Sequence, residues 1–276
     1  MTSATPQETG SVAEFPPRAA VRDWTFRLSR EASILLVCWV IYMGGRFVAG
    51  GRDELAYQNA RRVWFWERTF GLPDEATLQS AAMKVPHLVE VANTYYATVH
   101  FPLTIATLVW LFVRHPRQYS QTRRSLLWLT GAALAVHLAF PLAPPRLAVW
   151  DGMTDTAVRY GMSVYGPVGT GIANQFAAMP SLHFGWSVLV AVAVVSSLRS
   201  RLRWLILVHP GATLIVVVVT ANHYLLDCMV AGAIAVLAVR LAAVDILGAL
   251  RRVVPAAVRD DRASPDGGPR RHPFGR

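Results

Sequence analysis

The feature that most constrains this chain is a series of apolar blocks, most of them close to 20 residues long, with arginines concentrated in the connections between them. A block of that length crosses the hydrocarbon core of a bilayer as an α-helix, with its backbone groups satisfied internally. The sequence predicts six such helices. They lie at about Ala32 to Val48, Leu88 to Val113, Ser125 to Leu142, Leu182 to Leu198, Trp204 to Thr220 and His223 to Leu247. The first is short and interrupted by Gly44, Gly45 and Arg46; a cleaved signal is the alternative for that block alone. Charged residues make up 16% of the chain, against about 25% in ordinary soluble domains. The expected fold is therefore all-α: a polytopic membrane bundle of six transmembrane helices.

The net charge of +10 raises the possibility of a nucleic-acid partner. The basic residues are almost all arginines placed between apolar blocks, with no basic stripe interleaved with aromatics on a polar domain, so nucleic acid is excluded as a partner. The same arginines orient the bundle. Arg18 to Arg30, then Arg114, Arg117, Arg123 and Arg124, then Arg199, Arg201 and Arg203, and finally the C-terminal arginines fall on one side if six helices span. By the positive-inside rule that side is cytoplasmic, as are both termini. Residues 1–30 read as a disordered cytoplasmic tail, 31–248 as the membrane domain and 249–276 as a disordered basic tail.

Between the first two blocks, Gly50 to Pro86 mixes Tyr57, Val63, Trp64, Phe65, Trp66 and Phe70 with Arg61, Arg62, Glu67 and Arg68. This is the composition of an amphipathic helix lying in the membrane interface, ended by Gly71, Leu72 and Pro73. A soluble helical excursion packed on the bundle is the other reading. Cys38 and Cys228 both fall in apolar segments and read as small packing residues.

Chemistry concentrates in two stretches at the expected outer face, Gln175-Phe-Ala-Ala-Met-Pro-Ser-Leu-His183 and Asn222-His-Tyr-Leu-Leu-Asp227. Positions i and i+4 of a helix share a face, about 5–6 Å apart, so Asp227 can hold one nitrogen of His223 and leave the other free. A histidine or aspartate at a helix end is often only a solvated cap. Here two such ends fall at one membrane face, joined there by Pro144-Pro-Arg146. Phosphorus chemistry without a metal needs a nucleophile, donors for the equatorial oxygens and an acid for the leaving group. His223 suits the first role and His183 the last. Arg146 offers a planar fork for phosphate oxygens, and Ser181 with the N–H groups opening the fourth helix forms an anion site. No carboxylate cluster of magnesium type and no zinc ligand set at a recognisable spacing accompanies them, so no metal or cofactor is expected.

These residues carry a resemblance. Ala178-Met-Pro-Ser-Leu-His183 and Asn222-His-Tyr-Leu-Leu-Asp227 resemble the second and third motifs of the type 2 phosphatidic acid phosphatase (PAP2) superfamily. Phe140-Pro-Leu-Ala-Pro-Pro-Arg146 resembles the first motif of its inositol-phosphorylceramide-synthase-like (Aur1-like) branch, and Asn93 to Pro102 is similar to bacterial members of that group. The resemblance covers about residues 35–245. It implies a six-helix lipid phosphatase or phosphotransferase working through a phosphohistidine, with His223 as nucleophile, Asp227 as its orienter and His183 as the second histidine. Two departures stand out: Val217 occupies the position of an arginine in the ordinary phosphatase branch, and nothing aligns with that branch's lysine ahead of the first motif. Fewer cations suit a phosphodiester better than a dianionic monoester.

The leading expectation is thus transfer of a phospho-head-group, inositol-phosphate-like, from a phospholipid donor to a lipid or alcohol acceptor on the extracytoplasmic side of the cell membrane. Hydrolysis of phosphatidic acid or polyprenyl-type phosphates is the alternative at the same site. A haem-binding or transport bundle built on His100, His137, His183 and His223 is the non-enzymatic one. His100 either lines the site or bonds within the bundle, and Asn93, Tyr95, Tyr96 and Tyr224 either shape a head-group pocket or anchor the interface. His137 reads as a bundle hydrogen-bonding residue, and His87, His115, His209 and His272 as loop residues.

Overall fold

The computed structural model describes residues 18–49, 51–148, 152–160 and 175–244. The helices are α1 (Arg18–Ala49), α2 (Asp53–Thr69), α3 (Glu75–Met83), α4 (Leu88–Thr98), α5 (His100–Arg114), α6 (Pro116–Ala139), α7 (Thr156–Tyr160), α8 (Leu182–Ser197), α9 (Val208–Val219) and α10 (Leu225–Ala243). Short 3₁₀ turns occupy Pro145–Leu147 and Arg201–Leu207. Three described segments are long and apolar enough to cross a membrane: Leu88–Arg114, Arg201–Val219 and Leu225–Ala243. With α8 apolar but 16 residues long, they identify an all-helical integral membrane protein.

The elements differ from the sequence expectation in places, for local reasons. α1 starts at Arg18, so residues 18–30, expected to belong to a disordered tail, are helical. Arg27 caps the Phe112 carbonyl and Glu31 accepts from Tyr119 and Arg123, which ties this stretch to α5 and α6. The second apolar block is divided at Val99 into α4 and α5. Pro102 explains the break: it has no N–H for the Thr98 carbonyl, and its ring crowds that group. The stretch 50–86 forms two helices instead of one. Gly71, at φ 68°, closes α2, where the Leu72 N–H reaches back to the Glu67 carbonyl at 2.9 Å. Asp74 then caps α3 by accepting from the Thr77 N–H at 3.0 Å. The expected tail 249–276 and much of the glycine-rich loop 143–180 lie outside the described residues.

The bundle centre is α6, α8 and α10. Ala231, Ala235, Ala238 and Ala242 form a buried stripe along α10, and small side chains of this kind let helix backbones approach in a membrane. At Gly185 of α8 an added Cβ would stand 2.9 Å from Leu129 Cδ2 of α6, so glycine lets Leu129 pack directly against the α8 backbone. α9 flanks α8 and packs against α3 and α4, while α2 lies across the start of α10. Outward, α1 exposes Leu36, Trp39 and Ile41, α5 exposes Ile105, Val109 and Val113, and α10 exposes Val236 and Leu237. Apolar surface of that extent is stable facing lipid. α2 buries Ala56, Ala60, Val63 and Glu67 along one face and exposes Phe65, Trp66 and Phe70 on the other.

Candidate active site at the helix ends

The site is assembled where α9 turns into α10. The chain reverses through Ala221, which takes a left-handed φ of 55°, a conformation costing about 1 kcal/mol for a residue with a Cβ. The turn is held because the Asn222 and His223 N–H groups both donate to the Val217 carbonyl, at 3.0 and 3.1 Å. α10 then begins with the Tyr224 N–H donating to Asp227 Oδ2 at 2.9 Å. Asp227 is fully buried, and His223 nearly so.

His223 Nδ1 lies 2.8 Å from the Ala178 carbonyl oxygen and 3.4 Å from Asp227 Oδ2. A carbonyl only accepts, so Nδ1 carries the proton and Nε2 is the lone-pair nitrogen. His223 and Asp227 do meet, but not as neighbours on one helix face as expected. α10 begins at Leu225, so His223 lies in the preceding turn and Asp227 reaches back to it from the first helical turn. The shorter bond comes from a backbone group of the other motif. Nothing local to 222–227 could have indicated it.

Residues 142–146 and 175–178 run side by side to supply that carbonyl. The Leu142 N–H donates to Phe176 O at 2.8 Å, and the Ala178 N–H donates to Leu142 O at 3.2 Å. The Ala143 N–H is anchored on Ala56 O, the Arg146 N–H on Ala221 O, and Asn59 Nδ2 donates to Pro141 O. The first motif is thereby clamped between α2 and the α9–α10 turn. Arg146 is 9% exposed; its Nη1 donates to Asn222 Oδ1 at 3.3 Å and its Nε lies 3.6 Å from Asp155 Oδ2. Arg146 and His223 open onto one small cleft, which Pro144, Gln175, Ala177, Ala178 and Asn222 complete.

His183 is held differently. It is the second residue of α8, and its ring centroid is 6.4 Å from that of His223. It stacks on Tyr96 at 4.2 Å, with His100 at 4.7 Å and Phe101 at 5.5 Å. Tyr96 and His100 therefore reach the site by touching His183. Ser181 is fully buried; its hydroxyl accepts from the Phe184 N–H and its own N–H donates to the Asp227 carbonyl, fastening the two helix starts to each other. Asn93 bonds Thr156 in both directions and so holds α7. Tyr224 packs among Leu142, Ala143, Ala178 and Met179. The structure thus gathers Arg146, His183, His223 and Asp227, with Tyr96 and His100 behind His183, while Asn93 and Tyr224 brace the surroundings.

The expectation for His209 is corrected: it is not in a loop but in the first turn of α9, buried, with Nδ1 2.6 Å from the Tyr95 hydroxyl and its ring 5.9 Å from His100. Pro210 stands in the same first turn, where its missing N–H costs no helical bond. His137, in the last turn of α6, bonds the Pro180 backbone. Sequence reading missed Gln175, Asn222, Asp155, Glu67 and Glu75. Asn222 and Gln175 sat inside the quoted motifs. Glu67 carried a signal that went unread: it continues the apolar stripe Ala56, Ala60, Val63 at helical spacing, so it had to point inward.

Neither a curated protein nor a solved structure shows significant similarity to the chain. The family model described as PAP2 superfamily matches residues 61–241, a span that contains Arg146, His183, His223 and Asp227. The chain belongs to the PAP2 superfamily, whose members are membrane phosphatases and phosphotransferases.

Proposed function

We propose that the protein is an integral-membrane lipid phosphotransferase that works through a phosphohistidine on His223 at the extracytoplasmic face. The observation that carries this reading is the Ala178 carbonyl bond, which fixes Nδ1 as the protonated nitrogen and leaves Nε2 available beside Arg146. Nε2 attacks phosphorus, the bond from phosphorus to the leaving oxygen breaks, and that oxygen takes a proton from His183. The acceptor hydroxyl then returns a proton to His183 and attacks phosphorus; the P–N bond breaks and His223 is restored. Arg146 holds an equatorial oxygen, with the N–H groups opening α8 behind Ser181 as further donors. Asp227 supports the charge that forms on the attacking imidazole. Tyr96, His100, Asn93 and Tyr224 shape the surroundings of the head group.

The donor in this reading is a phospholipid phosphodiester and the acceptor a lipid or alcohol, an inositol-phosphate-like transfer as in the Aur1-like branch. Asp155 beside Arg146 offsets part of the local positive charge, which favours a monoanionic diester over a dianionic monoester. Hydrolysis, with water as acceptor, uses the same phosphoenzyme and is the second reading. The topology that accompanies it has six spanning helices, α2 in the outer interface and both termini cytoplasmic.

The test is to incubate purified protein with phospholipids ³²P-labelled in several head groups, with and without alcohol acceptors. An acid-labile, alkali-stable labelled protein that disappears in His223→Ala, together with labelled product that depends on the alcohol, is the expected result. Labelled product formed by His223→Ala at the wild-type rate would overturn the reading; the labelled hydrolysis product alone, whatever the acceptor (the phosphorylated head group from a diester, inorganic phosphate from phosphatidic acid), would establish the hydrolase instead.

A further inference from the structure

The first turn of every α-helix leaves N–H groups without intrahelical partners, and a cap from the same helix or water ordinarily takes them. α10 is different. Asp227 takes the Tyr224 N–H, but the Leu225 N–H donates to Glu75 Oε1 at 3.2 Å and the Leu226 N–H to Glu67 Oε1 at 2.7 Å. These acceptors come from α3 and α2, about 150 residues away in sequence. Glu67, Glu75 and Asp227 are each at most 2% exposed. Three buried carboxyl groups converge on the helix end that presents His223.

We propose that Glu67 and Glu75 are positioning residues for His223, fixing the first turn of α10 from the interfacial helices so that the imidazole stays in register with the Ala178 carbonyl. The proposal rests on the reading of His223 as nucleophile. Three carboxylates with one adjacent guanidinium would repel one another, and the arrangement shows how this is avoided. Arg68 binds Glu75 Oε2 at 2.8 Å and Asp74 at 2.6 Å, while His223 faces Asp227. Glu67 Oε2 has no donor among the described residues. It is the group that stays protonated: burial first, then the neighbouring Glu75, push its carboxyl up to about 9. Neutral Glu67 can accept from the Leu226 N–H with one oxygen and donate to Glu75 with the other.

The pH sense follows. Glu67 ionises far above an ordinary carboxyl, so the unit is intact at low and neutral pH and is lost as pH rises through about 9. A second negative charge then faces Glu75 from α3 and Asp227 from α10, with Cys228, His223, Arg68 and Asp74 as the other titratable or charged neighbours.

The experiment uses full-length protein in detergent, an activated nitrophenyl phosphate ester and ³²P trapping on His223 across pH 6–10. Glu67→Ala and Glu75→Ala should lower kcat and the trapping rate by roughly 10–100-fold, the scale of an ångström misplacement, with KM within about twofold. Glu67→Gln keeps an acceptor for Leu226 and a donor for Glu75. It should recover turnover at pH 7 to within about threefold of wild type and lose the wild-type fall near pH 9. Glu67→Gln as impaired as Glu67→Ala at pH 7, or retaining the wild-type alkaline fall, overturns the proposal. If Glu67→Ala does not purify folded, the Glu67→Gln profile decides alone. Wild type that traps no label overturns both this proposal and the nucleophile reading; trapping by wild type and Glu67→Ala at equal rates overturns this one only.

Discussion

The two histidine-bearing helix starts are built on opposite principles. His223 at α10 is held by polar contacts: a carbonyl at 2.8 Å, a carboxylate at 3.4 Å and a backbone turn bonded to Val217. His183 at α8 is held by ring faces, stacked on Tyr96 and flanked by His100 and Phe101. Hydrogen bonds specify which nitrogen carries a proton; stacking specifies where a ring lies and leaves its edge nitrogens free to exchange protons. One arrangement suits a nucleophile that must stay in a single tautomer, the other an acid and base that must change protonation within each turnover.

The sharpest way to break this comparison is His223→Ala. If Nε2 attacks phosphorus, turnover should fall to background on a lipid substrate and on an activated nitrophenyl ester alike, measured by product release. Survival on the ester would assign the attack elsewhere.

His183→Ala should be selective. A lipid alkoxide is a poor leaving group, so loss of its proton donor should cost roughly 10²–10⁴-fold. A nitrophenolate departs unaided, and most of that loss should vanish. The ratio of the two rates in wild type and variant measures the effect, and equal losses would remove His183 from the acid role.

Asp227→Asn falls lower. In a triad where the carboxylate alone fixes the imidazole, the amide flips the tautomer and costs about 10⁴-fold. Here the Ala178 carbonyl still demands a proton on Nδ1, so the expected loss is nearer 10–100-fold, with kcat reduced and KM little changed. A loss near 10⁴-fold would make the carboxylate, not the carbonyl, the dominant orienter.

Smallest is Tyr96. Tyr96→Phe keeps the stacked face and should change lipid turnover less than about threefold, whereas Tyr96→Leu removes it and should cost about tenfold, on the order of one aromatic contact. A large defect in the phenylalanine variant would show that the hydroxyl, not the ring, serves His183.

Much of this was legible in order along the chain. Apolar block length announced membrane helices because a bilayer has a fixed thickness, and the short spacing from His223 to Asp227 announced that the two would meet, though they do so across a helix start and not along a helix face. Pro102 also carried its break in the sequence, though hydropathy alone passed over it. By contrast, periodicity along α2 could turn Glu67 inward but could not name its partner, and Glu75 carried no such signal. Their contacts with Leu226 and Leu225 span about 150 residues, and local periodicity contains no term for such a distance.

The sequence by itself determined the broad apolar helical segments and the residue types near their ends: where arginine and histidine stand and which polar groups lie close together along the chain. These follow from short-range rules of pitch, propensity and burial. Only the tertiary structure decided which partner each ring received. The Ala178 carbonyl came to His223 because residues 142–146 and 175–178 run side by side, and Tyr96 came to His183 because α4 packs on α9 and α5 on α8. A hydrogen bond or a stacked ring depends on ångström-scale placement of groups remote in the chain, and packing of the whole bundle is what sets that placement.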